Sequence, residues 1–190
     1  MNRRSLALIS GIIVVAIVVV AVWVLRTHAN GQLNNASQAP VNASVDVGQT
    51  PPEFTLPSTA GTFDLMAQTK PVFLEIFATW CPHCQRETVV LNRLYAAYGK
   101  RVAFLAVPGS DTGMDGSSPE SQFDIINFQI RFGVKYPIAA YDPNLTVARQ
   151  YLKGGYPTIV IVNKDHKVAY ANSGEVPYDT LAAALNQVLK

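Results

Sequence analysis

The residues best suited to chemistry are Cys81 and Cys84, the only two cysteines in the 190-residue chain. They stand in a Cys-Pro-His-Cys motif. A thiol pair at this spacing can bind a soft metal or cycle between dithiol and disulfide. Zinc normally takes four ligands and one such motif supplies two, so we favour redox chemistry. A purely structural disulfide is disfavoured because a bridge closing so small a loop restrains the unfolded chain little.

Two nearby side chains are candidates for tuning the cysteines. Glu75 interrupts the apolar run at residues 72–77; burial would raise its pKa and let it exchange a proton with a cysteine. The alternative is a solvated carboxylate on an open strand face. A partly protonated His83 would add positive charge beside a Cys81 thiolate, which favours the dithiol and makes the disulfide more oxidising. The alternative is a solvated histidine with no such role.

The elements around the motif suit this chemistry. Residues 72–77 predict a central strand covered on both faces, and a helical pattern follows the motif up to a cap at Gly99. Pro82 suits the first helical position. Cys81 then lies at or next to the N-cap, where free N–H groups and the helix dipole stabilise a thiolate and lower its pKa. We therefore expect Cys81 to be the nucleophile and the more shielded Cys84 to be the resolving thiol.

The rest of the domain predicts a mixed α/β sheet. Residues 72–107 read as a strand, a helix and a second strand at 102–107, which implies parallel pairing. A Gly/Ser/Asp-rich loop occupies residues 109–118. The further predicted elements are a helix at 119–132, a short strand at 136–141, a helix from the N-cap Asp142 to about 152, a hairpin of strands 158–162 and 168–171 around a turn at 163–166, and a closing helix at 179–189.

The amino-terminal segment predicts a membrane anchor at residues 1–26. Residues 6–25 form a 20-residue stretch without a charged side chain, long enough to cross a bilayer as a helix and longer than the apolar region of a typical cleavable signal peptide, although cleavage near residues 27–29 stays an alternative. The flanking arginines favour a cytoplasmic amino terminus. The domain would then face the periplasm or the cell exterior, where disulfides persist.

The composition of the chain predicts a linker followed by one domain. It also argues against nucleic-acid binding. Residues 27–48 are small and polar, which predicts a flexible linker, and residues 49–190 form one domain. Of the 15 basic residues, three flank or belong to the anchor, so 12 basic side chains face 13 acidic ones elsewhere, a formal charge of −1. Without a Lys/Arg stripe, nucleic-acid binding has no electrostatic support.

Residues 49–190 resemble the thioredoxin superfamily, and within it the membrane-anchored TlpA/ResA-like thiol-disulfide oxidoreductases. The resemblance is carried by Phe-Ala-Thr-Trp-Cys-Pro-His-Cys at 77–84, by Glu87 three residues later, and by Gly-Tyr-Pro-Thr at 155–158. It implies a thioredoxin-like fold with a mixed sheet and flanking helices, preceded by one transmembrane helix and carrying a helical insertion at about 109–132.

The resemblance also implies roles for individual residues. Glu75 corresponds to a buried acid beside the active site, Glu87 to a glutamate that influences cysteine acidity, and Pro157 to a proline whose preceding peptide bond is cis and which presents backbone to the substrate chain. It implies protein thiols and disulfides as partners, an upstream redox partner, and no cofactor or metal. The predicted catalytic residues are Cys81, Cys84, His83, Glu75 and Glu87, and the predicted substrate-binding residues are Trp80, Pro82, Tyr156 and Pro157.

The sequence is compatible with three functions. The TlpA/ResA-like pattern favours reduction of extracytoplasmic disulfides, as in cytochrome c maturation, and we favour it narrowly. The Pro-His pair between the cysteines is that of DsbA-type oxidants, so oxidation of thiols is the main alternative. A Sco-like copper-delivery module would use both cysteines and a distant histidine, for which His166 is the candidate, but Sco proteins space their cysteines one residue further apart.

Overall fold

The computed structural model describes residues 45–190. Six strands and four helices lie within this range: β1 (Thr55–Ser58), β2 (Gly61–Asp64), β3 (Val72–Phe77), α1 (Pro82–Tyr98), β4 (Ala103–Pro108), α2 (Gln122–Arg131), α3 (Thr146–Tyr151), β5 (Thr158–Val162), β6 (Val168–Ser173) and α4 (Tyr178–Val188).

A four-stranded mixed sheet in the order β4-β3-β5-β6 forms the centre of the molecule. β3 pairs in parallel with β4 and antiparallel with β5, and β5 and β6 form an antiparallel hairpin. Every residue of β3 and β5 is buried because a hydrophobic cluster covers each face of the sheet. β1 and β2 form a separate antiparallel hairpin, which the sequence patterns did not reveal.

The alternation of side chains along β3 decides which face holds the reactive cysteines. Phe73 and Phe77 point into the cluster that contains Cys81 and Cys84, together with apolar residues of α1, α2 and α4. Residues at even positions of the strand point into the other cluster, beneath α3 and the β1–β2 hairpin. Because side chains alternate along a strand, Glu75 lies on the same face as the two cysteines.

Most predicted elements are present. The central strand at 72–77, the parallel strand–helix–strand unit, the strand at 158–162 and the following hairpin are confirmed, and the closing helix is displaced by one residue. The thioredoxin-like fold with a mixed sheet is thus established. Gly99 does follow the last turn of α1, but with a right-handed φ of −59° rather than the left-handed conformation of a glycine cap.

Three predicted boundaries were wrong. Residues 136–141 form only isolated bridges at Ile138 and Ala139, since Pro137 has no N–H to continue a ladder. α2 begins at Gln122 and not at 119, because Ser121 and Asp124 form a capping box there.

The predicted N-cap at Asp142 was also wrong. Its carboxylate accepts hydrogen bonds from the N–H groups of Asn144 and Thr146, at 2.9 and 2.8 Å, and closes a turn. α3 therefore starts only after Leu145, whose φ is 52°.

Residues 45–48, which the sequence assigns to the end of the linker, make contacts with the domain. Val45 is buried in the hydrophobic cluster under α3, and the Gly48 N–H donates to the Val168 carbonyl of β6 at 2.8 Å. Residues 45–48 are thus packed against the domain. The predicted anchor at 1–26 and the rest of the linker lie outside the described residues; within 45–190 there is no helix long and apolar enough to cross a membrane.

Candidate active site

The two cysteines lie at the amino-terminal end of α1, directly after the central strand. Cys81 is the N-cap residue, with extended backbone (φ −75°, ψ 117°), and Pro82 occupies the first turn. Both cysteines are free. Cys81 is 4% exposed and Cys84 is 0% exposed. The predicted N-cap position of Cys81 and the greater shielding of Cys84 are therefore confirmed.

Cys84 is kept protonated by its surroundings. Burial raises the pKa of the Cys84 thiol well above its ordinary range, and the negative charge of Glu75 acts in the same direction. A thiol in this state is a poor first nucleophile, because the thiolate is the reactive form. The helix therefore separates an attacking position at its start from a resolving position one turn further in.

The predicted substrate-binding residues converge on Cys81, with Pro82 exposed beside it. The Cys81 thiol donates a hydrogen bond to the Tyr156 carbonyl at 3.8 Å, and the Tyr156–Pro157 peptide bond is cis. The Trp80 ring, 37% exposed, meets the Tyr156 ring edge-on at a centroid distance of 6.1 Å. A backbone carbonyl and two aromatic rings thus border the Cys81 sulfur.

The loop after β4 fixes these two aromatic rings. The Trp80 indole N–H donates to the Ser110 hydroxyl at 2.8 Å, and the Tyr156 hydroxyl donates to the Gly109 carbonyl. Sequence analysis treated Gly109 and Ser110 only as parts of a loop. The sequence could have predicted that these two residues lie near the motif, because β3 and β4 are parallel and the segments that follow them meet at one edge of the sheet.

Glu75 is buried within the central strand, as expected, and carries a raised pKa. Burial is the main cause of this shift, and the negative charge of Glu87 raises the pKa further. The Tyr136 hydroxyl donates a hydrogen bond to Glu75 Oε2 at 3.3 Å, which lowers the pKa. The resulting pKa of Glu75 is about 8. The negative charge of Glu75 acts in turn on Cys84. Glu75 can thus hold a proton next to the resolving thiol near neutral pH.

Glu87 is the second buried carboxyl group of this face. Its Oε2 accepts a hydrogen bond from the Val176 N–H at 3.2 Å, whereas Oε1 has no hydrogen-bond partner among residues 45–190. Burial raises the pKa of Glu87 to about 7, against the effect of the Val176 hydrogen bond. Two coupled carboxyl groups with pKa values near neutrality therefore lie on the cysteine side of the sheet.

A third buried acid, Glu120, was missed by sequence reasoning. The Thr79 hydroxyl donates to Glu120 Oε2 at 2.6 Å, so this carboxyl group holds the residue two positions before the nucleophile. Burial raises the pKa of Glu120 to about 7, and the hydrogen bond from Thr79 opposes that shift. An acid next to a Ser/Pro-rich loop gives no sequence signal for such a contact across 41 residues.

His83 is exposed and bound to two charged residues that sequence reasoning also missed. Its Nδ1 atom lies 2.6 Å from Glu175 Oε1 and 2.8 Å from Arg86 Nη2, and Arg86 Nη2 lies 2.5 Å from the same Glu175 oxygen. Arg86 stands three residues after His83 on one helix face, a spacing that predicts contact. Glu175 is 92 residues from His83, and nothing in the local sequence indicates it.

His166 does not join the cysteines, which removes the third ligand of the copper-delivery alternative. It lies in the turn between β5 and β6 with a φ of 53°. β5 runs antiparallel to β3, and Val162 pairs with Val72, at the end of β3 remote from the motif. About five residues of strand, roughly 16 Å, therefore separate this turn from the cysteine end of the sheet.

A thioredoxin-like sheet with a dithiol at a helix start and a cis-proline segment beside the nucleophile defines a thiol-disulfide oxidoreductase. Comparison with known proteins agrees with this class. The chain belongs to the Redoxin family, whose sequence profile matches residues 46–189.

The chain is also similar to two named thiol-disulfide oxidoreductases and to one solved structure. The chain is 30% identical over 148 residues to the thiol-disulfide oxidoreductase ResA of Geobacillus thermodenitrificans (strain NG80-2), covering 76% of this chain and 79% of that protein. It is 28% identical over 180 residues to the thiol:disulfide interchange protein DsbE of Escherichia coli (strain K12), covering 92% and 88%. A crystal structure described as a thiol:disulfide interchange protein DsbE from Chlorobium tepidum superimposes with a TM-score of 0.65 at 26% identity, covering 77% of this chain and all of that one.

Proposed function

We propose that this thiol-disulfide oxidoreductase reduces disulfides of extracytoplasmic proteins, with cytochrome c maturation as the process it serves. The observation that carries the proposal is the division of labour between the two thiols. Cys81 lies at the helix start beside the Tyr156 carbonyl, whereas Cys84 is fully buried with a strongly raised pKa. Such a pair attacks an external disulfide with one sulfur and completes the exchange with the other.

In the first half of the reaction, Cys81 in its thiolate form attacks one sulfur of the partner's disulfide. The bond between Cys81 and that sulfur forms while the partner's own S–S bond breaks. The other partner sulfur leaves as a thiolate and takes up a proton. Trp80 and the carbonyl of Tyr156 border the mixed disulfide, and the cis-proline segment offers backbone to the bound chain.

In the second half, Cys84 loses its proton and attacks the Cys81 sulfur. An internal disulfide forms, and the second partner sulfur leaves as a thiolate and is protonated. Two electrons have then passed from the two cysteines to the partner, whose two thiolates take up their protons from solvent. The ionised form of the buried Glu75–Glu87 pair accepts the Cys84 proton, since both pKa values lie near neutrality. A dithiol protein upstream returns the enzyme to its reduced form.

The direction is supported by the environment of His83. A free imidazolium between the cysteines would stabilise the thiolate and favour an oxidant. Here the carboxylate of Glu175 lies 2.6 Å from the imidazole and offsets that positive charge. The substrate class that fits is an apocytochrome whose C-x-x-C-H haem-attachment cysteines have become oxidised.

We place the enzyme on the outer side of the membrane, held by a transmembrane segment at residues 1–26. The support is the uncharged 20-residue stretch with its flanking arginines and the similarity to DsbE, which extends over 92% of the chain. In cell fractionation, we expect the full chain to stay in the membrane pellet after an alkaline wash and to be digested by protease added to spheroplasts. Release by the wash, or protection in spheroplasts, would refute this location.

The decisive test is the reduction potential of the full-length chain together with a trapping variant. We expect a potential below about −220 mV, towards that of thioredoxin, whereas a value near about −120 mV would establish the DsbA-like oxidant instead. Cys84→Ser should accumulate a mixed disulfide between Cys81 and its partner, because the resolving thiol is missing. The Cys81→Ser/Cys84→Ser double variant is the matched control and should trap nothing.

A further inference from the structure

Glu175 is the common partner of two basic side chains at the entrance to the active site. Arg86 reaches its Oε1 atom with both Nε, at 3.0 Å, and Nη2, at 2.5 Å, and His83 Nδ1 approaches the same oxygen at 2.6 Å. His83 and Arg86 both lie on the first turns of α1, whereas Glu175 precedes α4. The carboxylate thus comes from another part of the chain to lie beside the redox motif.

The geometry at His83 Nδ1 makes two hydrogen bonds mutually exclusive. This nitrogen faces both Glu175 Oε1 at 2.6 Å and Arg86 Nη2 at 2.8 Å. It can accept from Arg86 only without a proton, and it can donate to Glu175 only with one. In either state the negative charge of Glu175 is next to the imidazole. The carboxylate therefore cancels one unit of positive charge in this group, whichever of the two basic side chains it bonds.

The charge of this group reaches the nucleophile. The hydrogen bonds to Glu175 raise the pKa of the Arg86 guanidinium most, and a Cys81 thiolate contributes in the same direction. Cys81 is the N-cap of the helix whose first turns carry His83 and Arg86, so the charges of these two side chains lie near the sulfur. None of the three side chains is buried: His83 is 60% exposed, Arg86 56% and Glu175 37%.

We propose that Glu175 is a positioning residue that lowers the reduction potential of the Cys81–Cys84 couple by holding His83 and Arg86 and cancelling one positive charge beside Cys81. Without it, the two basic side chains would present uncompensated positive charge to Cys81, stabilise the thiolate and favour the dithiol form. Glu175 thereby shifts a Pro-His motif away from the oxidising behaviour that its histidine alone would produce. This inference deepens the proposed reducing function and rests on it for its biological meaning, but not for its measurement.

The test measures the equilibrium of the full-length chain with glutathione. In this reaction the dithiol form of the enzyme reduces glutathione disulfide. The products are the disulfide form of the enzyme and two molecules of reduced glutathione, so two electrons are exchanged. We expect Glu175→Gln, which retains shape and an acceptor oxygen, to shift this equilibrium about three- to tenfold towards the dithiol enzyme, where tenfold corresponds to about 30 mV. The control is Asp179→Asn, an exposed acid four residues away, which should change it less than twofold.

Two further measurements separate charge from structure. Glu175→Asp keeps the charge and should restore most of the wild-type equilibrium. The Glu175→Gln shift should also shrink as salt is raised, because exposed charges are screened. A shift that Asp does not rescue, or that is the same at low and high salt, would show that Glu175 acts only through the shape of its segment and would overturn the proposal.

A double-variant cycle tests whether Glu175 acts through His83. In a His83→Ala background, we expect the effect of Glu175→Gln on the equilibrium to fall to half or less, with Arg86 carrying the remainder. An undiminished effect would overturn the role of His83, and Glu175→Gln behaving like Asp179→Asn would overturn the proposal as a whole. A wild-type chain that shows no reversible exchange at all would instead refute the proposed function.

Discussion

Three buried carboxyl groups in the region of the redox motif carry pKa values near neutrality. Glu75 has a pKa of about 8, and Glu87 and Glu120 have pKa values of about 7. In each case burial is the largest cause. In the proposed mechanism, the proton of the fully buried Cys84 thiol passes to Glu75 or Glu87, which lie on the same side of the sheet. Glu120 instead holds Thr79 and so the backbone before Cys81.

The raised pKa of Glu75 predicts a stability that falls as pH rises. Between its ordinary value of 4.5 and about 8, the folded state keeps a proton that the unfolded state releases, so the free energy of unfolding decreases with pH, by up to about 1.4 kcal/mol per pH unit. Glu75→Gln removes this contribution. We expect the variant to have a shallower decline and to exceed wild type by a few kcal/mol above pH 8 in urea unfolding of the reduced protein.

The exposed residue Glu53 offers the matched control for that experiment. Glu53→Gln removes a carboxylate without touching the buried group and should leave the pH dependence of wild type unchanged. If Glu75→Gln and wild type lose stability in parallel across the window from pH 4.5 to pH 8, the proton is not held at Glu75.

At the scale of elements, the end of β4 and the cis-proline segment are packed without spare room. A Cβ atom at Gly109 would lie 2.6 Å from Ile76 Cγ2 and 3.1 Å from Tyr156 Cε1. Glycine is therefore required at position 109 because the neighbouring side chains leave no space for a Cβ atom. The carbonyl of the same residue accepts the hydrogen bond from the Tyr156 hydroxyl, so this position couples the strand to the aromatic border of the site.

We therefore predict that Gly109→Ala destabilises the domain by about 1–3 kcal/mol through overpacking. It should also slow thiol-disulfide exchange, because the Tyr156 ring must move. The control is Gly155→Ala, where the nearest contact of the added Cβ is Ser173 Oγ at 3.6 Å. Denaturant unfolding and the rate of insulin reduction measure the two effects. Equal stability of the two variants would contradict the packing argument.

The sequence predicted those elements whose signals are local. The run 72–77 is apolar apart from one acid and became β3 with the predicted bounds. Pro137 stopped the expected strand at 136–141. At Asp142 the same side chain that can cap a helix closed a turn instead, and local patterns do not decide between those two outcomes.

The residues of the candidate site also differ in whether the local sequence indicates them. Cys81, Cys84 and Glu75 were found because their types and spacing carry the signal, and Tyr156–Pro157 was found through a family pattern. Glu120 and Glu175 were missed because their partners lie 41 and 89 or more residues away. Contacts of that kind depend on how β4, α2 and α4 pack, which no short motif specifies.

At the scale of the whole molecule, residues 45–48 pack against the domain, although their composition placed them in the linker. Val45 is buried, Lys153 Nζ lies 2.5 Å from Asp46 Oδ1, and the Gly48 N–H bonds to β6. The short segment at 45–48 thereby covers part of the hydrophobic cluster under α3.

We predict that a chain beginning at residue 49 is less stable than one beginning at residue 45, by about 2 kcal/mol. Most of this reflects the burial of one valine side chain, worth about 1.5–3 kcal/mol, since an exposed ion pair contributes little. Urea unfolding of the two chains measures the difference, and Val45→Ala in the longer chain should reproduce most of it. Identical midpoints and slopes would show that residues 45–48 do not stabilise the domain.

The position of Trp80 gives the domain an optical signal of its own. The chain has two tryptophans, Trp23 and Trp80, so a protein beginning at residue 45 emits from a single indole that directly precedes the nucleophile and is fixed by Ser110. An excited indole transfers an electron readily to a nearby disulfide, and its emission falls when the bridge forms. Stopped-flow fluorescence of unlabelled protein would therefore follow the formation and the reduction of the Cys81–Cys84 bridge in real time.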